Sequence, residues 1–119
     1  MSPVDIRIAS VVGSELCLAS DDGEKVHAAI VKAIREGNKV RLSFKGVEDL
    51  TSAFLNAAVG QLYGEFSESY LKDAMLPPTD ASQEDLELLK RVVDRARDFF
   101  RDPEKHRRIM KEILGEDDG

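Results

Sequence analysis

The stretch that decides the fold is VRLSFKGVEDLTSAFLNAAVGQL, residues 40–62. Apolar and polar residues alternate over its first six positions, and this period of two predicts a half-buried strand from Lys39 to Lys45. Gly46 predicts a turn directly after the strand. The small and apolar residues that follow predict a helix from about Thr51 to Glu65. The stretch is typical of a strand-to-helix joint in an α/β protein.

Two hydroxyl residues, Thr51 and Ser52, occupy the predicted start of this helix. Backbone N–H groups lack partners there and the helix dipole is positive, which favours an oxyanion or a phosphate. A simpler role is also open, because serine and threonine are common helix N-caps and such a cap is worth about 1 kcal/mol. Ser52 is therefore a candidate for a switch residue as well as for a structural cap.

Strands and helices alternate outward from this joint. The other predicted strands cover residues 6–12, 16–19 and 71–76. The other predicted helices begin after the cap Asp21 or Asp22, after the cap Ser82, and at Pro103. This order predicts an α/β single layer sandwich with a mixed, mostly parallel sheet and a C-terminal helical extension. We assign residues 1–101 to the domain and residues 102–119 to the last helix and an acidic tail.

The composition limits the classes of partner. A chain of 119 residues that is 42% hydrophobic and 34% charged is typical of one soluble globular domain. Its net charge of −6 opposes binding to nucleic acid, which needs clustered cations. No apolar run approaches the roughly 20 residues that span a bilayer, and the N-terminus does not resemble a signal peptide. We therefore expect a cytoplasmic protein with no membrane or nucleic-acid partner.

The sequence contains no recognisable catalytic, metal or cofactor motif. His27, His106 and the single Cys17 are far apart in the sequence, whereas metal sites need clustered ligands. There is no glycine-rich phosphate loop and no supported Ser-His-Asp or Cys-His set. We therefore expect no enzymatic activity, no cofactor and no metal, and Cys17 is expected to be a small buried side chain.

Small residues form one side of the helix predicted after the joint. They are Ala53, Ala57, Gly60 and Gly64. Because glycine within a helix costs around 1 kcal/mol, their presence predicts close approach of another element. That element is either the protein's own fold or a partner helix docked in a groove.

Four segments together resemble a known family. The segments are VRLSFKGV at Val40–Val47, TSAFL at Thr51–Leu55, the turn Ser20–Gly23 and the helix Leu86–Val93. In order and spacing they resemble the STAS-like domain family of unknown function, over about Ile6–Phe100. That family is related to the anti-sigma factor antagonist domains of bacterial regulators. The resemblance implies a STAS-like fold and a regulatory role through binding to another protein.

The resemblance also implies a phosphorylation switch. In the antagonists, the serine at the corresponding joint is phosphorylated by a partner kinase of the histidine-kinase-like ATPase type. By pattern that serine is Ser52, and Thr51 stands where the antagonists usually carry an aspartate. The expected phosphoacceptor or central partner contact is therefore Ser52, with Thr51 beside it. The rest of the expected partner-binding surface is Gly46, Val47, Glu48, Asp49, Phe54, Asn56 and Gly60.

Two other functions are open from the sequence. The domain is a small-molecule sensor if a nucleotide or another anion binds at the same helix N-terminus. It is a structural homodimerisation domain if two chains meet through the apolar side of the last helix, which carries Ile109, Met110, Ile113 and Leu114.

Overall fold

The computed structural model describes residues 3–101. Residues 102–119, to which we assign the last helix and its proposed homodimer face, lie outside the described residues. Within residues 3–101 the protein is a mixed α/β domain with two small parallel sheets and five α-helices. This architecture confirms the predicted α/β class and the predicted parallel strand pairing.

The first sheet is built around the predicted strand of the joint. Strand β1 (Val4–Arg7) pairs in parallel with β3 (Val40–Ser43), from Val4 opposite Val40 to Arg7 opposite Ser43. On the other side of β3, Met75 and Thr79 form single parallel bridges. β3 is therefore the central strand, and its alternation places Val40 and Leu42 in the core.

The second sheet is a short parallel pair between β2 (Leu16–Cys17) and β4 (Asp49–Leu50). The backbone N–H of Glu48 donates to the carbonyl of Glu15 at 2.8 Å, just before the pair. The N–H of Thr51 donates to the carbonyl of Cys17 at 3.2 Å, just after it. These bonds fix the position at which the next helix begins.

Five α-helices and one 3-10 turn surround the sheets. The helices are α1 (Ile8–Val12), α2 (Ser20–Arg35), α3 (Ser52–Ala58), α4 (Glu68–Ala74) and α5 (Gln83–Arg101), and the 3-10 turn covers Gly60–Gly64. Helix α3 packs against both α2 and α5. The fully buried side chains of the core come from the strands, from α1 to α4 and from the 3-10 turn, and they include Phe44, Phe54, Ile8, Ile30, Leu55, Leu62 and Leu71.

The first predicted strand, residues 6–12, is wrong beyond Arg7. Ile8 begins α1, and Gly13 ends it in the left-handed conformation at φ 79°. The apolar side chains of Ile8, Val11 and Val12 are spaced by three and four residues, which is the period of a helix rather than of a strand.

The predicted strand over residues 71–76 is also wrong, because most of this segment belongs to α4. The Oγ of Ser67 caps α4 by accepting a hydrogen bond from the N–H of Tyr70 at 3.2 Å. Leu71 and Ala74, three residues apart, are buried on its inner face. The chain becomes extended at Met75, and it then pairs with β3.

The helix predicted from Thr51 to Glu65 is shorter than expected. Helix α3 ends at Ala58, and the chain continues as the 3-10 turn, since Gly60 is a poor residue for the interior of an α-helix.

The predicted side-chain cap of α2 is wrong too. Its N-cap is Ala19, and Asp21 and Asp22 lie in the first turn, where their charge favours the helix dipole.

Candidate functional site

Thr51 is the N-cap of α3, and its hydroxyl is engaged on both sides. The Oγ1 of Thr51 accepts a hydrogen bond from the N–H of Phe54 at 3.1 Å and donates one to the carbonyl of Leu18 at 2.6 Å. The residue therefore caps the helix and ties it to the chain that leaves β2. Because the N–H of Phe54 already has a partner, the start of α3 offers less to a bound anion than the sequence indicated.

Ser52 is the first residue of α3, and its side chain is exposed. It is not the cap of the helix, since that role belongs to Thr51. A modification of its hydroxyl would therefore leave the capping hydrogen bonds in place. The structure thus separates the two hydroxyls that the sequence places side by side: Thr51 is structural, and Ser52 is accessible.

Thr51 and Ser52 should differ in how much each contributes to the stability of the fold. Replacing Thr51 with alanine removes the cap and the bond to Leu18, and we expect the free energy of unfolding to fall by about 1–2 kcal/mol. Replacing Ser52 with alanine should change it by less than about 0.5 kcal/mol, as is usual for an exposed side chain. Urea denaturation measures both values. Thr51→Ser, which keeps the hydroxyl, is the matched control, and equal losses for the two alanine variants would contradict the assignment.

Acidic residues lie next to this joint on the paired strands. Glu48 and Asp49 are exposed before α3, and Glu15 precedes β2. A hydrogen bond to Glu15 raises the pKa of the Glu48 carboxyl, and repulsion from Glu15 raises it further, with a smaller contribution from Asp49. The entrance to α3 is therefore a negatively charged surface at neutral pH. Glu15 was not predicted to lie on this surface. Glu15 comes close to Glu48 only because β2 pairs with β4, and no local sequence pattern reveals that pairing.

The raised pKa of Glu48 predicts a pH-dependent stability. A carboxyl whose pKa is higher in the folded state stabilises the fold when it is protonated, and it loses that contribution as the pH rises through the folded-state pKa. We therefore expect Glu48→Gln to raise Tm at pH 7 and to have a smaller effect at pH 4. Thermal unfolding at the two pH values tests this. Glu24→Gln, at an exposed position of α2, serves as the control, and an equal gain at both pH values would refute the prediction.

The predicted partner-binding residues fall into two groups in the structure. Gly46, Glu48, Asp49 and Asn56 are exposed and Val47 is half-buried. Phe54 and Gly60 are buried, so their prediction as surface contacts is wrong. The reason is that α3 packs on two neighbours at once, which the sequence of a short helix cannot show.

Three of the four small residues, Ala57, Gly60 and Gly64, pack within the protein's own fold. A Cβ at Gly60 would lie 3.5 Å from the Cβ of Ala96 on α5. A Cβ at Gly64 would lie 2.6 Å from the ring of Phe100. On the other side of α3, the Cβ of Ala57 would lie 2.8 Å from a Cβ at Gly23 of α2. These three small residues thus allow close packing within the fold, whereas Ala53 is exposed.

The outer face of α3 forms one wall of a shallow depression of about 490 Å³. Its lining residues are Ser20, Glu24, His27, Ala53, Asn56, Ala57, Gln61 and Glu65. The Nε2 of His27 lies 2.7 Å from a carboxylate oxygen of Glu65, and its Nδ1 lies 3.3 Å from the carbonyl of Ala58. These contacts hold His27 half-buried and link α2 to the chain that follows α3.

The part of the chain that the structure describes holds no group of residues arranged for a metal. Among residues 3–101, no three His, Cys, Asp or Glu side chains are grouped so that they could hold a metal ion. Cys17 is fully buried, and burial, followed by the charge of Asp22, raises the pKa of its thiol. Cys17 is therefore a core side chain. No helix in this same range is long and apolar enough to cross a membrane.

Parallel strand pairs with helical cover make this a small mixed α/β domain, an architecture consistent with a STAS-like fold. The chain belongs to the family described as the STAS-like domain of unknown function, DUF4325, whose model matches residues 22–84, just over half of the chain. The match includes most of α2, both β3 and β4, and the whole of α3 with Ser52. No curated protein and no solved structure matches the chain significantly.

Proposed function

We propose that this domain is a non-catalytic regulatory module that binds a partner protein at the start of α3, and that phosphorylation of Ser52 switches the binding. The observation that carries the proposal is the exposed hydroxyl of Ser52 beside a capping threonine that is fully engaged. The kinship of STAS-like domains with anti-sigma factor antagonists supports the same residue, since the pattern of those proteins puts their phosphoserine at this joint.

The switch would act through charge. A phosphate carries a charge of about −1.5 to −2 at pH 7. Glu48, Asp49 and Glu15 already make this surface negative, so a phosphate on Ser52 would concentrate the negative charge at its exposed edge. Because the start of a helix tolerates negative charge, the fold would be kept while a partner's acidic contacts would be repelled.

The partner we propose is a histidine-kinase-like ATPase, which would supply both the docking surface and the phosphoryl group. The surface that it would meet contains Ser52, Asn56 and the turn at Gly46, all of which are exposed. The proposal includes a cytoplasmic location, because an ATP-dependent kinase acts where ATP is abundant.

The test compares baits that differ in charge at one position. The wild-type chain, Ser52→Asp and Ser52→Ala are immobilised, partners captured from the host lysate are identified by mass spectrometry, and the affinity of the purified partner is then measured. We expect Ser52→Asp to weaken that affinity at least tenfold, which is about 1.4 kcal/mol, and Ser52→Ala to retain it. Ser69→Asp is the matched control, since Ser69 is an exposed serine in the first turn of α4.

Two results would count against this function. The charge switch is refuted if the purified partner binds Ser52→Asp and the wild type equally well. The role of the surface is refuted if Asn56→Arg, on the same exposed face of α3, leaves the affinity unchanged. Circular dichroism of each variant confirms that the fold is intact, so that neither result can be attributed to unfolding.

A further inference from the structure

An apolar cavity lies away from the start of α3, between α4, the extended residues after it, and α5. Its volume is about 370 Å³. Most of its wall is aliphatic, and Leu62, Leu71, Met75, Leu76, Leu89 and Val93 are among the lining residues. Ligand sites in proteins are typically cavities of about 300–1,000 Å³ with mostly apolar walls and a few polar groups. The cavity meets the size and the lining of a small-molecule site.

A polar cavity of about 540 Å³ adjoins the apolar one. Tyr63 and Lys72 line both cavities, so they mark the boundary between them. Within residues 3–101, the ion pairs of this region join Glu68 to Arg97 and Arg101 and leave the exposed Lys72 without an acidic partner. The apolar cavity is therefore bordered by a cation that can accept an anionic group from a ligand.

Tyr63 supplies a second polar group at this boundary. Its side chain is half-buried, and burial is the main cause that raises the pKa of its phenol. The hydroxyl therefore stays protonated at neutral pH and can donate a hydrogen bond. A carboxylate accepts hydrogen bonds from both a phenol and an ammonium group, and charge-assisted bonds of this kind are the strong ones.

We propose that the two adjoining cavities bind a small amphipathic carboxylic acid, with its aliphatic chain among the apolar residues and its carboxylate between Lys72 and Tyr63. A water molecule takes up about 30 Å³ in the liquid and a methylene group a similar volume, so the apolar cavity of about 370 Å³ has room for roughly twelve such groups and accommodates the chain of a ten-carbon acid. This site is separate from the surface around Ser52, and it extends the domain from partner binding to ligand binding.

The aliphatic lining and the lysine at its border together select this ligand class. A neutral hydrocarbon would fill the apolar cavity but would leave the cation of Lys72 unused. An inorganic anion would meet Lys72 but would leave the aliphatic wall uncovered. Glu68 also lines the polar cavity, but its carboxylate is paired with Arg97 and Arg101, so Lys72 leaves the lining with an excess positive charge that repels a cationic amphiphile. A free aliphatic acid satisfies both parts of the site.

Titration calorimetry of the full chain with decanoate, below its micelle concentration, tests the proposal, with 1-decanol as the uncharged analogue. We expect saturable binding of decanoate with one site per chain and weaker binding of decanol. Lys72→Met should weaken decanoate binding about tenfold and leave decanol binding unchanged. Lys32→Met, which changes an exposed lysine of α2 outside the cavity, is the matched control and should alter neither.

A second variant tests the apolar wall. Val93→Phe fills the cavity from α5 and should abolish binding of both compounds, with circular dichroism used to confirm folding. If that variant does not fold, the comparison of Lys72→Met with Lys32→Met still decides the matter. The proposal is overturned if decanoate does not bind saturably, if Lys72→Met binds it like the wild type, or if decanol binds as tightly. Ser52→Asp should bind decanoate normally, so this test is independent of the proposed switch.

Discussion

Replacing Phe54 with alanine is expected to lower the free energy of unfolding by about 3–5 kcal/mol. The side chain of Phe54 is 0% exposed and belongs to the main hydrophobic core, although it lies only two residues after the exposed Ser52. The expected loss combines the transfer of the ring out of the core with the cavity that remains. A domain of about 100 residues has a total stability of only about 5–15 kcal/mol, so this variant should be close to unfolding.

Urea denaturation followed by circular dichroism measures the loss. Phe99→Ala is the comparison, because the side chain of Phe99 on α5 is 39% exposed and packs edge-on against Phe100, so its removal should cost less, about 1–2 kcal/mol. A loss below about 1 kcal/mol for Phe54→Ala would show that the ring is not a core side chain. It would then return Phe54 to the partner-binding surface. If Phe54→Ala lowers the free energy of unfolding strongly, any weaker partner binding by this variant results from unfolding. It is then no evidence that Phe54 contacts the partner.

Replacing Gly23 with alanine is expected to destabilise the domain by about 2–4 kcal/mol, against the usual preference of helices for alanine. A Cβ at Gly23 would clash with the backbone carbonyl oxygen of Phe54 and would lie 2.8 Å from the Cβ of Ala57. Both of these atoms are fixed to α3, so they cannot rotate away and the two helices would have to separate. The loss of stability arises where α2 packs against α3, the helix that begins at Ser52.

Gly60→Ala provides the control for Gly23→Ala. Its Cβ would lie 2.5 Å from the Oδ1 of Asn56, the end of an exposed side chain that can adopt another rotamer. We therefore expect a smaller loss of stability than at Gly23. In a domain of this size 1 kcal/mol shifts Tm by about 4–8 °C, so thermal unfolding separates the two variants clearly. Equal Tm values would mean that α2 can move away from α3 at little cost.

Local patterns in the sequence predicted the parts of the fold that depend on neighbouring residues. The alternation of β3 is seen as predicted, and Gly46 follows it in the left-handed conformation at φ 83°. The Oγ of Ser82, the predicted cap, caps α5 by accepting from the N–H of Asp85 at 3.1 Å. Each of these features is specified within four residues of the chain, so a single sequence was enough.

The features that the sequence did not reveal depend on distant contacts. Residues 71–76 carry several apolar side chains and are followed by two prolines, which is equally consistent with a strand, and the packing of Leu71 and Ala74 in the core decides for a helix. For α3 the sequence placed Ser52 correctly at the start of a helix. It could not show which face is covered, because α3 has only seven residues and neighbours on two sides. The error over Phe54 and Gly60 follows from that.

The two-residue length of the β2–β4 pair has a consequence for hydrogen exchange. Opening this sheet breaks the backbone bonds that Glu48, Asp49 and Thr51 donate to Glu15 and Cys17, while the core around β3 stays intact. Such local opening costs less free energy than global unfolding. We therefore expect these three amide protons to exchange with deuterium much faster than those of β3. Ser52, the first residue of α3, would then lie directly after a segment that opens by itself. A modifying enzyme could reach it while the rest of the domain remains folded.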